Sequence, residues 1–208
     1  MQRLDQGRFA AGFELAQAPA DVVAAATACA LAALGSAFAS IGSESVTRCA
    51  AGIGALAEPG EHVVIGRRER WGARDAALMN GILIHGLDYD DTHPASVVHA
   101  SASAWPAVLA AGRRYRASGA QALAAYLLAV EADARLGQHA GGWWQKVGFH
   151  PTGVVGVFGA TLAAAYLQGA DARTHAHALG LALATASGSM EFLDDGSWNK
   201  RFHPGWAA

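Results

Sequence analysis

Residues 154–167 read Val-Val-Gly-Val-Phe-Gly-Ala-Thr-Leu-Ala-Ala-Ala-Tyr-Leu. The run is apolar throughout, short for a bilayer span, rich in Gly and Ala, and preceded by His150. A buried central helix explains it better than a membrane helix. The same composition recurs on both sides of it. Ala124, Ala125, Ala163, Ala164 and Ala165 are typical of the predicted helix faces, and small side chains let helix axes approach closely. Long stretches lack the Val/Ile/Thr alternation of strands, so helix wins on propensity. The fold class is therefore all-α, a compact helical bundle.

Working outward from that run, the punctuation divides the chain into elements. A first helix is expected near Arg8 to Gln17, and Pro19-Ala20-Asp21 separates it from a second that reaches about Phe38, with Asp21 as its N-cap. A third helix covers Ser43 to Leu56, and Glu58-Pro59-Gly60 is a turn signal. Only His62 to Trp71 has strand-like character. Helix resumes from Ala73 to about Leu87, followed by a polar loop from Asp88 to His99. Helices then cover Ser101 to Ser118 and Ala120 to His139, and a loop covers Gly141 to Thr152. Two core helices follow, Gly153 to Leu167 and Ala172 to Gly188, and Glu191 to Ala208 is expected to be a loop.

The chain has 208 residues, 52% of them hydrophobic, enough to bury a sizeable core. Its formal charge is -2 with no basic block, which argues against nucleic acid or an anionic membrane surface as partner. Cys29 and Cys49 lie in apolar helical stretches and read as reduced core thiols of a cytoplasmic protein. Met1 to Gln17 has no apolar run after a basic start, so no secretory signal is expected there.

Polar titratable residues are scarce in the middle of the chain and gather in three places. The first is His85-Gly86-Leu87-Asp88-Tyr89-Asp90-Asp91-Thr92-His93-Pro94 with His99, three carboxylates and three histidines within 15 positions. Asp88 and Thr92 fall on one side if the turn is helical. Crowded carboxylates spread each other's pKa values, and a nearby histidine titrates near neutrality, which suits proton transfer. A solvated acidic loop fits the same spacing about as well. A metal site built on Asp88, Asp90, Asp91 and the histidines ranks below both, because no His-Glu-x-x-His and no cysteine pairs are present. The second gathering is Gly148-Phe149-His150-Pro151-Thr152-Gly153, where a helix starting near Thr152 offers free amides to an anion; a histidine satisfied by a backbone carbonyl is the bland alternative. The third is Asp194 to His203, where Lys200 and Arg201 offer a point charge and a fork to a carboxylate.

Taken in order, these segments resemble one family, the MmgE/PrpD family, which holds 2-methylcitrate dehydratase, cis-aconitate decarboxylase and iminodisuccinate epimerase. The resemblance runs from Asn80-Gly81 and His85 through Leu87-Asp88-Tyr89-Asp90-Asp91-Thr92-His93 and His99. It continues through Gly148-Phe149-His150-Pro151-Thr152-Gly153 to Gly196-Ser197 and Lys200-Arg201-x-His203-x-Gly205-x-Ala207-Ala208. Where family members have His-Pro-Ser, this chain has His99-Ala100-Ser101. The resemblance implies a large helical domain with a smaller α/β lid, no metal and no organic cofactor, and a site between the domains for small di- or tricarboxylates. It implies Asp88, Thr92, His99, His150 and Lys200 as catalytic positions; Lys200, Arg201, Thr152 and His203 are the residues expected to bind substrate. Residues 1–208 then correspond to the helical domain, with the lid absent from this chain. The chain is accordingly a truncation, a split subunit needing a lid-bearing second polypeptide, or a reduced protein. Homodimerisation is the family expectation. The expected chemistry is a cofactor-free lyase reaction that abstracts a proton beside a carboxylate, dehydration first, then decarboxylation or epimerisation. A non-catalytic binding subunit and a metal-dependent helical hydrolase are the rival classes.

Overall fold

Glycine and alanine decide where the helices of this protein can touch. In the computed structural model, which describes the backbone of residues 2–208 and side chains from residue 5, α8 (Pro151–Leu167) is the most deeply buried element. Met1, the first residue of the segment read as carrying no signal, lies outside the described residues. Two helices flank α8 closely, α5 (Ala100–Tyr115) and α6 (Gly119–Ala140). A Cβ on Gly156 would lie 2.5 Å from the Ser103 Oγ of α5, and one on Gly159 would lie 2.7 Å from the Ala129 carbonyl of α6. Such approaches leave no room for a methyl group.

The remaining described elements wrap this trio. They are α1 (Gln2–Ala11), α2 (Ala20–Ser40), α3 (Glu44–Leu56), α4 (Ala73–Ile84), a four-residue α7 (Trp143–Lys146), α9 (Ala172–Ala182), a four-residue α10 (Phe192–Asp195) and α11 (Asn199–Ala207). The bundle is all-α apart from one small antiparallel pair, β1 (Pro59–Val63) and β2 (Arg70–Trp71). One core lies between α2, α3 and α4 around Met79, Ile82 and Ile84. A second lies between α5, α6 and α8 around Val108, Tyr126 and Ala163. Close contact recurs between α4 and α11, where a Cβ on Gly81 would collide with the Gly205 backbone and one on Gly205 with the Leu78 carbonyl. That contact seats the helix carrying Lys200 and His203 against the helix that leads into the Asp-rich loop.

Several boundaries differ from the sequence-based expectation. The first helix is Gln2–Ala11, and only a single 3-10 turn, Leu15–Gln17, follows it. Gly12 and the apolar Phe13 interrupt the expected continuation. Pro19, not Asp21, is the N-cap of α2, and Asp21 sits in the first turn, where its charge suits the helix start. α2 is 21 residues long and, by length and composition, apolar enough to cross a membrane, so the longer apolar helix is α2 rather than α8. Its alanines Ala26, Ala30, Ala33 and Ala37 are buried in the bundle while Leu31 and Phe38 face outward. α4 stops at Ile84, three residues early, and α9 stops at Ala182. α5 ends at Tyr115, and Ser118, expected inside it, is instead the N-cap of α6 in a capping box with Gln121. The expected terminal loop holds α10 and α11, because Gly205 allows the last helix to press on α4.

Asp133 is the one fully buried acid of the α5–α6–α8 core. Its Oδ1 accepts the Gly159 N–H at 3.0 Å, and complete burial holds its carboxyl well above the ordinary carboxylate range. Substituting Gly159→Ala is expected to destabilise the fold by about 1–3 kcal/mol, since the new methyl meets both Asp133 and the Ala129 carbonyl. Chemical denaturation at neutral pH checks this; an unchanged midpoint contradicts the described packing.

Candidate active site

Three chain segments that are distant in sequence meet where α4 ends. His85 is the C-cap of α4, its N–H bonded to the Gly81 carbonyl at 3.0 Å. The chain then turns at Asp88, which has a left-handed φ of 60°, unusual for a residue other than glycine. The loop closes on itself through the His93 N–H to the Val98 carbonyl at 2.9 Å and delivers His99 to the N-cap of α5. His150 caps α8, whose first helical residue is Pro151 rather than Thr152. The His150 N–H is held by the Gly188 carbonyl at 3.0 Å. α11 brings Lys200, Arg201 and His203 to the same place.

The side chains form one connected group. The Lys200 ammonium donates to both Asp88 oxygens, at 2.6 and 2.5 Å. His99 Nε2 lies 3.5 Å from Asp88 and its Nδ1 lies 3.2 Å from the Thr92 hydroxyl. Nδ1 of His150 and Nδ1 of His203 are 3.1 Å apart, so one must donate and the other accept. Phe192 stands edge-on to His150 with ring centres 5.5 Å apart. Thus Asp88, Thr92, His99, His150, Lys200 and His203 are brought together. Two residues are placed differently. The Thr152 hydroxyl is fully buried and accepts the His99 N–H at 3.1 Å, so it joins the caps of α5 and α8 instead of facing open space. Arg201 donates its Nε–H to the Gly86 carbonyl at 2.8 Å, which ties α11 to the loop.

Residues 5–208 match the MmgE/PrpD N-terminal domain. This chain belongs to the MmgE/PrpD family. It is 32% identical over 153 residues to cis-aconitate decarboxylase of Homo sapiens, a stretch covering 66% of this chain and 31% of that protein. It is 31% identical over 135 residues to cis-aconitate decarboxylase-like protein oryM of Aspergillus oryzae, covering 61% and 28%. The Aspergillus terreus cis-aconitate decarboxylase is 30% identical over 156 residues, covering 72% and 32%. The aligned stretch therefore spans about a third of the length of these relatives, whose names mark them as lyases.

Within this MmgE/PrpD domain, burial sets the protonation states. Desolvation is the main cause that lowers the pKa of His99, His203 and His150, the last to about 2, where electrostatic interaction with the neighbouring His85, His203, Lys200 and His99 further disfavours a proton. These imidazoles are neutral at ordinary pH. Burial pulls the Asp88 carboxyl upward, but its hydrogen bond to Lys200 and the charges of His85, Lys200 and His99 outweigh that and hold it below the usual range.

His85 and Asp90, which the sequence places in the polar gathering and in the lowest-ranked metal site but not among the catalytic or substrate-binding residues, are buried and paired by the fold. His85 Nδ1 lies 3.0 Å from both Asp90 oxygens. Its Nε2 has no hydrogen-bond partner and lies 3.8 Å from Asp88. The spacing His85-x4-Asp90 at a helix end was the available signal. Phe192 carries no titratable group and gave none. His85, Asp88, Asp90 and His99 each offer a ligand atom within 4.8 Å of the others, the set that could hold a metal ion. The Lys200 ammonium already sits on Asp88, and its charge works against a dication there.

The histidine shifts predict how stability depends on pH. Folded-state values lie below the unfolded value of about 6.5, so the unfolded chain binds more protons and stability falls as pH drops below that value. At pH 5 a histidine as deeply buried as His150 contributes a loss of up to about 2 kcal/mol. From pH 7.5 to pH 5 the melting temperature is expected to lose more, or gain less, in the wild type than in His150→Gln; the buried Asp133, whose raised value acts in the opposite sense, contributes equally to both. His175, also lowered by burial, adds to the same trend in both proteins. Parallel melting curves for the two across this range contradict the buried, neutral His150.

Proposed function

We propose that this chain supplies the helical half of a lyase site that holds a small di- or tricarboxylate through Lys200 and moves a proton beside one of its carboxylates. The observation that carries this reading is the Lys200 ammonium gripped by the Asp88 carboxylate, which His85 and His99 also approach, beside a ring cluster that extends to His150 and His203. Asp88 holds the place that a substrate carboxylate takes. Names of the relatives favour loss of carbon dioxide from a cis-aconitate-like acid, with 2-methylcitrate-type dehydration second.

Decarboxylation breaks the bond between carbon and the departing carboxylate, and the electron pair stays on the substrate. A fixed cation stabilises that charge best when it is already in position, which is the task given to Lys200. A proton must then reach carbon. A neutral imidazole is a poor proton donor, but bound polyanionic substrate raises the pKa of His150 and His99 and loads them with a proton. Thr92 fixes the His99 ring through Nδ1, and the buried His85–Asp90 pair holds the base of the loop from beneath, as a positioning element. Dehydration uses the same groups in reverse sense, one imidazole taking the proton beside the carboxylate and another protonating the leaving hydroxide.

A second reading follows from the aligned share of about a third: this helical domain works only together with the remaining part of such a protein, on the same or another polypeptide, which completes the pocket. Proton exchange in D2O, followed by NMR with citrate, 2-methylcitrate, cis-aconitate and malate, tests both. Turnover or exchange by the chain is expected to fall about 100- to 10,000-fold in His150→Ala, and Lys200→Met is expected to weaken cis-aconitate binding. Activity within a few-fold of wild type in His150→Ala and His99→Ala sinks the proton-transfer assignment. Activity that returns only on adding a lid-bearing polypeptide selects the half-enzyme reading.

A further inference from the structure

The two ends of α5 carry unlike side chains. Its N-terminus carries His99, and its C-terminus, 16 residues and roughly 24 Å away, carries Arg113, Arg114 and Arg116. Two clefts open at that far end. One, of about 480 Å³, lies between the three arginines and the β1–β2 pair, with Glu61 as its only acidic lining residue. The other, of about 380 Å³, is walled by Trp105, Val108, Leu109 and Ala122. Arg113 and Arg116 line both, so the clefts adjoin at these two side chains. We propose that these two adjoining clefts together bind a small amphipathic anion, with its oxyanion on the arginines and its apolar part along Trp105. The site is separate from the proposed lyase chemistry and does not depend on it.

Three features support a ligand over a solvated helix end. Cations near the last turn offset the helix dipole, which accounts for Arg113 and Arg114 but not for a third arginine beyond the helix. Arg116 holds a left-handed φ of 55° at the helix end, with the Ala117 N–H closing on the Gly112 carbonyl at 2.9 Å. Glycine is the residue that fits this position without strain, and an arginine here places a guanidinium in both clefts. Second, the charge balance is unsatisfied. Arg113 pairs with Glu61 at 2.9 Å, and no other carboxylate among the lining residues answers Arg114 and Arg116. A guanidinium presents paired donors suited to phosphate or carboxylate. Third, the apolar chamber is rigid. Trp105 is fixed by its Nε1–H on the Ala30 carbonyl at 3.2 Å and by stacking on Tyr126 with ring centres 4.8 Å apart. A preformed apolar wall beside converging donors is what a small-molecule site requires.

Calorimetric titration of the chain with hexyl phosphate, hexanoate, inorganic phosphate and 1-hexanol tests this. Hexyl phosphate or hexanoate is expected to bind more tightly than either inorganic phosphate or 1-hexanol. Which of the two binds better assigns the head group as phosphate or carboxylate. Arg113→Gln with Arg116→Gln is expected to weaken that binding roughly 10- to 100-fold. Glu61→Gln, which frees Arg113, is expected to tighten it about two- to five-fold. All three side chains lie at the surface, and unchanged melting curves confirm that the variants fold. Lys200→Met is expected to leave the affinity unaltered, which separates this cleft from the histidine site. No heat with any probe, 1-hexanol binding as well as the anions, affinity unchanged in the double arginine variant, or affinity lost in Lys200→Met each overturns the proposal.

Discussion

The absence of side chains along one stripe of α8 is the constraint on which the rest of this structure depends. Gly156 and Gly159 let α5 and α6 press onto α8 at distances that a single methyl would forbid. Because α5 and α8 are packed so closely, the residues that cap them, His99 and His150, begin side by side. The Thr152 hydroxyl bonded to the His99 N–H fixes that relation at the level of the backbone. Had α8 been built from leucine, the axes would stand farther apart and the two caps would separate.

Close packing of this kind also controls the electrostatics. The site is not a patch of exposed charge but a set of imidazoles pushed toward neutrality by burial, next to one ion pair that remains partly open to solvent. A neutral imidazole accepts a proton or passes one on according to the charge of what binds beside it. The Asp88–Lys200 pair supplies that sensitivity, since a second carboxylate arriving there changes the field felt by every ring in the group. Asp88 reaches its position from a left-handed backbone conformation, which a loop tolerates only when its surroundings hold it. Lys200 from α11 and the buried Asp90–His85 pair from below are the surroundings that do so.

The chain belongs to the MmgE/PrpD family over residues 5–208, and the stretch aligned with its decarboxylase relatives amounts to about a third of their length. The far end of α5 has a different character. There the arginines stand beside an apolar chamber instead of a cluster of histidines, so the same helix presents two unlike binding chemistries at its two ends.

Much was legible in the sequence alone. Alanine and glycine content specified an all-α bundle, and the placement of α8 as the central helix followed from its apolar run. Three segments where histidines and carboxylates or cations gather marked the candidate site, with Asp88, His99, His150, Lys200 and His203 all within them. Local rules of composition and capping act over a few residues, so they are written where they act. Other features only the tertiary structure decided. Lys200 and Asp88 are separated by 112 positions, and no local pattern encodes their contact. The last helix was unreadable as a helix because its stability comes from the Gly81–Gly205 contact with α4, a long-range packing term, while its own sequence holds Pro204 and Gly205. Thr152 and Arg201, each suited by type to hold an anion, were turned to backbone groups of neighbouring elements. The His85–Asp90 pair acquired its importance only through complete burial. Whether a polar side chain faces solvent, substrate or a neighbouring backbone is set by which helices meet around it, and that is a property of the assembled bundle.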